Sequence, residues 1–291
     1  MLGLAVGDAL GAPLHGLSKD QTGELAEMTG GGTFDVRPGQ GTGVTQLALR
    51  LASTLAELGG YDADHALRGY IAWYRSDPPG ISEHMREVLG MVAAEGNSFH
   101  ATSSFHFGGG ITSGNGAVMR ATPIGIAYAG RDVTVRDLTL SDSALTHFDP
   151  IAGKVALLHN QIVSWLLTSG SQRMYDELKN PEWLDDRIED VVYPATSGVG
   201  GFAEKLAASE PGSALASIAI ALVAVFNADT FEEGLVWAVN LGGDAAANGA
   251  VTGALLGARL GASSIPKRWL EPLERRAEIE GVTDRLVALA R

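Results

Sequence analysis

The stretch from Val239 to Gly261, VNLGGDAAANGAVTGALLGARLG, constrains this chain more than any other. A short polar turn, Asn240 to Asp244, runs into a helical pattern in which Gly249, Gly253 and Gly257 recur at every fourth position. That spacing sets the glycines on one face, where another backbone can approach closely. In a membrane span the same pattern would pair helices. Here Asn248 and Arg259 interrupt the apolar surface, so a tightly packed helix of a soluble protein is expected. Asp244 stands at the helix start, where a carboxylate can accept from free backbone N–H groups and meets the positive end of the dipole. It reads either as an N-cap or as a functional acid.

Composition narrows the classes. At 291 residues the chain suits one large domain or two small ones, and 45% hydrophobic against 19% charged residues supplies a sizeable core. The formal charge is −13, which would repel a nucleic-acid backbone, so no DNA or RNA partner is expected. There is no cysteine, hence no disulfide, thiolate metal site or cysteine nucleophile, in keeping with a cytoplasmic protein. The opening MLGLAVGDALGAP has no basic leader and is broken by Asp8, unlike a signal peptide. The longest apolar run, Ala214 to Phe226, is too short to cross a bilayer and suits a buried helix, so no membrane partner is expected.

Along the chain, helical periodicity recurs and no series of strands does. Residues 1–15 read as a helix or helix end, and 18–41 as a long surface loop. Leu47, Leu51, Leu55 and Leu58 make a stripe that stops at Gly59-Gly60. Asp62 caps a helix to about Ser76 with Leu67, Tyr70, Ile71 and Tyr74 inward; Pro78-Pro79-Gly80 ends it, and Ser82 opens another to about Gly96. Residues 97–113 read as a loop, in which His100 and His106 are too loosely spaced to argue for a metal. Asp149-Pro150 starts a core helix to about Thr168, since proline suits the first turn. Residues 169–211 read as polar and irregular, with a solvated acidic face at Asp185, Asp186, Glu189 and Asp190. Thr230-Phe231-Glu232-Glu233 has the pattern of a capping box, and an amphipathic helix lies near the C-terminus.

Four separated segments carry chemistry. Gly7-Asp8-Ala9-Leu10-Gly11-Ala12-Pro13 is followed by His15, which reads as a surface or capping residue or as a ligand contact; Asp8 reads equally as a buried structural acid. Thr112-Ser113-Gly114-Asn115-Gly116-Ala117-Val118-Met119-Arg120 places two glycines before a helix N-terminus, where amides can meet an anion. Its structural alternative has Asn115 as a cap and Arg120 in a buried ion pair. Thr146-His147-Phe148-Asp149-Pro150 offers His147 as a cleft residue, with Asp149 fixing the turn. The last segment is Gly242-Gly243-Asp244.

In this order the four segments resemble the GDALGxPxE, GNGxxMR, THxDP and NLGGDxDTxGA patterns of the ADP-ribosylglycohydrolase family. The resemblance covers nearly the whole chain and implies an all-α fold, a compact single-domain orthogonal helical bundle over residues 1–291. It also implies a cleft for ADP-ribose, with Thr112, Ser113, Gly114, Asn115, Gly116, Met119 and His147 as ligand contacts. Family members hold a pair of magnesium or manganese ions that bind the ribose diol and position a water for glycosidic cleavage. Matched position by position, the metal-ligand places here are His15, Thr42, Gly43, Val44, Asp244, Ala246 and Ala247, of which Thr42 and Asp244 keep a family ligand type.

Magnesium needs about six oxygen ligands and is held chiefly by carboxylate charge. The expectation is therefore a chain without metal cofactor, lacking the family's hydrolase activity, and binding an ADP-ribose-like or other small ligand. The alternative is an enzyme with metal-independent chemistry on a glycosidic or other small substrate, with Asp244, His147 and His15 as acid–base candidates.

Overall fold

The computed structural model describes residues 1–78, 81–179, 185–197 and 201–291. Pro79 and Gly80 of the expected helix break lie outside the described residues. Among those residues the regular structure is helical, with two isolated β-bridges, Gly31–Val36 and Gly114–Ser213, and no sheet. The longer helices are α1 (Leu2–Gly11), α2 (Gly43–Leu58), α3 (Ala63–Arg75), α4 (Glu83–Glu95), α5 (Ser98–Phe107), α6 (Val118–Ala127), α7 (Asp132–Ala144) and α8 (Pro150–Thr168). They continue as α9 (Ser171–Lys179), α10 (Asp186–Thr196), α11 (Phe202–Ser209), α12 (Ala214–Asn227), α13 (Phe231–Val239), α14 (Ala245–Leu260) and α15 (Arg276–Ala290).

Helix starts follow side-chain chemistry. Thr42, Asp62, Ser82, Asp149, Ser213 and Thr230 each accept a hydrogen bond from an amide in the first turn of the helix they open. At Thr230 the expected box is shifted, because Glu233 reaches back to the amide of Asp229. Two stretches expected to be irregular are helical. Residues 98–107 form α5, capped by Asn97 and held through Ala101, which packs with Val88 and Val92 of α4. Tertiary packing, rather than an apolar stripe, stabilises that helix. In 169–211, α9, α10 and α11 each bury a stripe too short to stand out among polar residues: Met174 and Leu178, Ile188 with Val191, Val192 and Ala195, and Ala203 with Ala207. In α3 Ala66, Tyr70 and Trp73 are buried, and Leu67, Ile71 and Tyr74, expected inward, are half-buried against the core; Trp73 is the inward residue not foreseen.

The glycine face of α14 meets α1, whose Gly3, Gly7 and Gly11 have the same spacing. A Cβ on Gly7 would overlap the carbonyl oxygen of Gly249, one on Gly3 that of Gly253, and one on Gly11 that of Ala245. The two backbones are therefore in direct contact at three successive points along the helices. This pair lies in a core drawn from all parts of the chain, from Ala5 and Val6 through Leu47 and Leu158 to Leu286. Around it, the N-terminal ends of α2, α4, α6 and α14 surround one cavity.

Candidate functional site

The cavity has a volume of about 480 Å³, in the range of small-molecule sites. His15, Thr42, Gly43, Val44, Gly114, Asn115, Gly116, Met119, His147, Asp244 and Ala246, all singled out in the sequence, line it. Phe34, Trp73, Ile81, Ser82, His84, Met85 and Ile111 complete the wall together with Gly212. Of these, sequence reasoning missed Phe34, Trp73, Ile81, His84, Met85, Ile111 and Gly212, which carry no local pattern beyond ordinary helix or loop residues. Thr112, Ser113 and Ala247 do not line the cavity. The buried Thr112 hydroxyl bonds His106 Nδ1 at 2.7 Å and accepts from the Asp149 amide at 3.2 Å. The Ser113 carbonyl accepts from the Ala214 amide, and Ala247 packs with Leu4, Val44 and Ala48. These three hold the wall from behind.

Asp244 stands at the N-terminus of α14, where its carboxylate faces the Ala247 amide without closing a well-formed capping hydrogen bond. Oδ2 instead accepts from Asn115 Nδ2 at 2.9 Å, and Oδ1 lies 3.1 Å from His15 Nδ1. The second is a charge contact, with no hydrogen bond closed at His15 Nδ1. Backbone pairing enforces it: Gly16 N–H donates to Gly243 O and Gly243 N–H to Leu17 O, both at 2.8 Å. This clasp needs glycine at 242, where φ is +73° and a Cβ would overlap the Leu17 carbonyl. Asp244 and His15 are 20% and 30% exposed, respectively. Burial favours the neutral acid at Asp244, yet the close approach and charge of His15, with Asn115 and the Ala247 amide, hold its pKa below the usual range. Burial disfavours a charged His15, but Asp244 and, farther off, Asp8 outweigh it and raise its pKa.

Asp8 lies behind the wall, fully buried. It accepts from the amide and hydroxyl of Thr42 at 2.8 and 2.7 Å and from those of Thr45 at 3.0 and 2.6 Å. It is a buried structural acid, and burial raises its pKa against the pull of those four bonds. The Thr42 hydroxyl therefore donates its hydrogen bond to Asp8 while accepting from the Val44 amide at 3.2 Å. Beside it, a Cβ on Gly43 would lie 2.8 Å from Trp73 Cζ2. The indole is fixed by Nε1–H donating to Gln46 Oε1 at 2.9 Å.

The Gly114–Met119 loop is held rigidly. Asn115 N–H donates to Gly212 O, and Asn115 Nδ2 also reaches Ser217 Oγ, which donates to Asn248 Oδ1 at 2.7 Å. Asn115 does not cap α6, whose first-turn position falls to Ala117. Arg120 is fully buried. Its guanidinium donates to the carboxylate and carbonyl of Asp142 and to Gly116 O, and it lies over the Tyr70 ring.

His147 is 4% exposed. Its Nδ1 pairs with Thr146 Oγ1 at 2.8 Å, whereas Nε2 has no partner and lies over Gly116. Burial, then the nearby His84 and Arg120, push its pKa well below the usual histidine range, so the ring is neutral at physiological pH. His84 Nε2 donates to Thr146 O at 2.7 Å, with its ring edge-on to His147. Elsewhere, His100 pairs with Glu95 and His106 with Thr112, so those two histidines do not converge. Among the described residues no group of three or more His, Asp or Glu side chains is arranged to hold a metal.

The ADP-ribosylglycohydrolase family profile matches residues 1–291. The chain is 30% identical over 295 residues to an ADP-ribosyl-[dinitrogen reductase] glycohydrolase of Rhodospirillum rubrum, covering 99% of this chain and 94% of that protein. It is 29% identical to the ADP-ribosylarginine hydrolase Tri1 of Serratia proteamaculans, covering 100% of this chain and 78% of that one. A solved structure described as an ADP-ribosylglycohydrolase-related protein complex superposes with a TM-score of 0.84 at 33% identity, covering 100% of this chain and 96% of that chain.

Proposed function

The chain belongs to the ADP-ribosylglycohydrolase family, and from that premise we propose that it is a ligand-binding protein built on the hydrolase cleft, without the family's two-cation chemistry. One observation carries the reading. Among the described residues the cleft-lining side chains include a single carboxylate, Asp244, and it is already shared between Asn115 and His15. A pair of divalent cations needs several carboxylates and about six oxygens each. The other inherited donor, the Thr42 hydroxyl, is spent on Asp8 and Val44. The volume beside Gly43 is filled by Trp73, and Val44 and Ala246 present hydrocarbon. These residues do not fit the metal pair that the resemblance implies.

What remains suits an ADP-ribose-like or other small ligand: a concave wall, the fixed Gly114–Met119 loop and the unpartnered Nε2 of His147. Among the described residues no helix is long and apolar enough to cross a membrane, and a cysteine-free chain fits a reducing compartment such as the cytoplasm. The test is calorimetry of the purified protein in EDTA with ADP-ribose, AMP and adenosine, beside elemental analysis after growth with magnesium and manganese. Heat with at least one ligand and substoichiometric metal are expected. Two tightly retained divalent ions per chain, or hydrolysis of an ADP-ribosyl bond that EDTA abolishes, would overturn the loss of metal chemistry. Silence with all three ligands would remove the binding reading.

A second reading rests on the His15–Asp244 contact, which couples an imidazole of raised pKa to a carboxylate in the cleft. Such a pair can move a proton near neutral pH without metal. Under this reading, turnover of a glycosidic substrate persists in chelator and is lost in Asp244→Asn. Unchanged turnover in Asp244→Asn and His147→Ala would dismiss it.

A further inference from the structure

The fold leaves donors over at the start of α6. The N–H groups of Gly116, Ala117 and Val118 donate to no group among the described residues; the first amide there with a partner is that of Met119, which donates to Asn115 O at 3.0 Å. No side chain caps this end of the helix. Free amides at a helix N-terminus suit an anion. A separate feature points the same way. His147 Nε2, in a side chain only 4% exposed, has no partner and lies 3.1 Å from where a Cβ on Gly116 would stand. Gly116 and His147 both line the cavity.

What aims these amides lies on the other side of the loop. In a trans peptide the carbonyl and the following N–H point in opposite directions. Gly116 O accepts from Arg120 Nη1 at 2.9 Å, and Arg120 is wholly buried. The guanidinium is fixed on its remaining edges. Nε donates to Asp142 Oδ2 at 3.0 Å and Nη2 to Asp142 O at 2.9 Å. Its Cζ lies 4.7 Å from the centroid of the Tyr70 ring, whose hydroxyl donates to Asp142 Oδ1 at 2.7 Å. With the Gly116 oxygen drawn inward, the Ala117 N–H points the opposite way, towards the face that Gly116 gives to the cavity. A charged donor on the carbonyl also polarises the peptide and makes that N–H a stronger donor. Long-range attraction is a minor part of this, because Asp142 offsets the charge of Arg120 within the pair.

Resting on the ligand-binding reading above, we propose that Arg120 is a positioning residue for the ligand. By holding Gly116 O inside the fold it turns the Ala117 amide to the cavity, and so sets the affinity for the phosphoryl oxygens of a nucleotide without touching them and without metal. The buried ion pair and the anion loop are then parts of one device.

The experiment is calorimetry in EDTA with AMP, ADP-ribose and adenosine on the unmodified protein, on Arg120→Lys and on the double variant Arg120→Met with Asp142→Leu. Lysine keeps the charge but loses the planar fork. The double variant leaves no buried charge unpaired, which protects the fold. Thermal unfolding of each protein is measured alongside. Both variants are expected to bind AMP and ADP-ribose at least about tenfold more weakly, with adenosine changed by less than about twofold. AMP affinity unchanged in a folded variant overturns the proposal. A loss shared equally by adenosine overturns it too, since Arg120 would then only support the cavity as a whole. Either result leaves the binding reading intact, whereas an unmodified protein that binds none of the three probes removes both.

Discussion

At the scale of single residues, the site is shaped by partners that its side chains already have. Thr42 and Thr45 satisfy Asp8, Asn115 and His15 share Asp244, and Arg120 is consumed by Asp142. The Asp142–Arg120 pair has almost no exposure, so removing one member leaves a buried charge alone. Arg120→Met is expected to cost about 3–5 kcal/mol in chemical unfolding, and to loosen the Gly116 carbonyl it holds. Gly43 faces the Trp73 indole, whose Cζ2 would lie 2.8 Å from an added methyl. Gly43→Ala should therefore destabilise by about 1–3 kcal/mol. A double-mutant cycle with Trp73→Phe checks the cause, because a coupling energy near zero would show that the indole is not what excludes the side chain. The identities at 42, 43, 44, 244, 246 and 247 were legible from the sequence; that Trp73 fills the space beside them was not. A residue on a distant helix leaves no mark in local spacing.

At the scale of elements, the α1–α14 contact governs the core. The stripe on α14 was visible from its period, yet its members are unequal. Gly249 and Gly253 meet carbonyl oxygens of α1, while Gly257 has room, with Gly3 Cα at 3.5 Å from an added Cβ. Gly249→Ala is thus expected to cost about 3 kcal/mol or more by forcing two backbones apart. Gly257→Ala should be neutral, or stabilising by up to about 1 kcal/mol through helix propensity. Urea titrations of both variants check this, and equal losses would contradict the packing described. Caps at Asp62, Ser82, Asp149 and Thr230 were readable because capping is local chemistry. Helices α5 and α9 to α11 were not, because each buries a few small or isolated apolar residues whose stability comes from the neighbour they pack on.

At the scale of the whole molecule, buried neutral histidines link stability to pH. His159 is fully buried against the Thr122 hydroxyl, and burial pushes its pKa down to about 3; His147 and His84 are lowered in the same way. A histidine lowered on folding binds its proton in the unfolded chain first. Its contribution is therefore whole above the unfolded value of 6.5 and is lost as pH falls from there towards about 3. His15, being raised, acts in the opposite sense, so the comparison of variants is what isolates each group. Between pH 7 and 5, His159→Gln should flatten the fall in unfolding free energy by about 2 kcal/mol relative to the unmodified protein. An unchanged slope would mean that His159 is protonated in the folded state.

Alone, the sequence determined the all-α class, the family, the close backbone approach at the glycine stripe and the sparse set of carboxylates at the inherited metal positions. Each of these is written in local spacing or in residue identity, which the chain carries before it folds. Tertiary structure alone decided that Phe34, Trp73 and Met85 form the cleft wall, that the Thr42 hydroxyl is spent on Asp8, and that His147 Nε2 is left without a partner. Those outcomes depend on which side chains meet across the core, where hydrogen bonds and volume are shared among residues far apart in the chain.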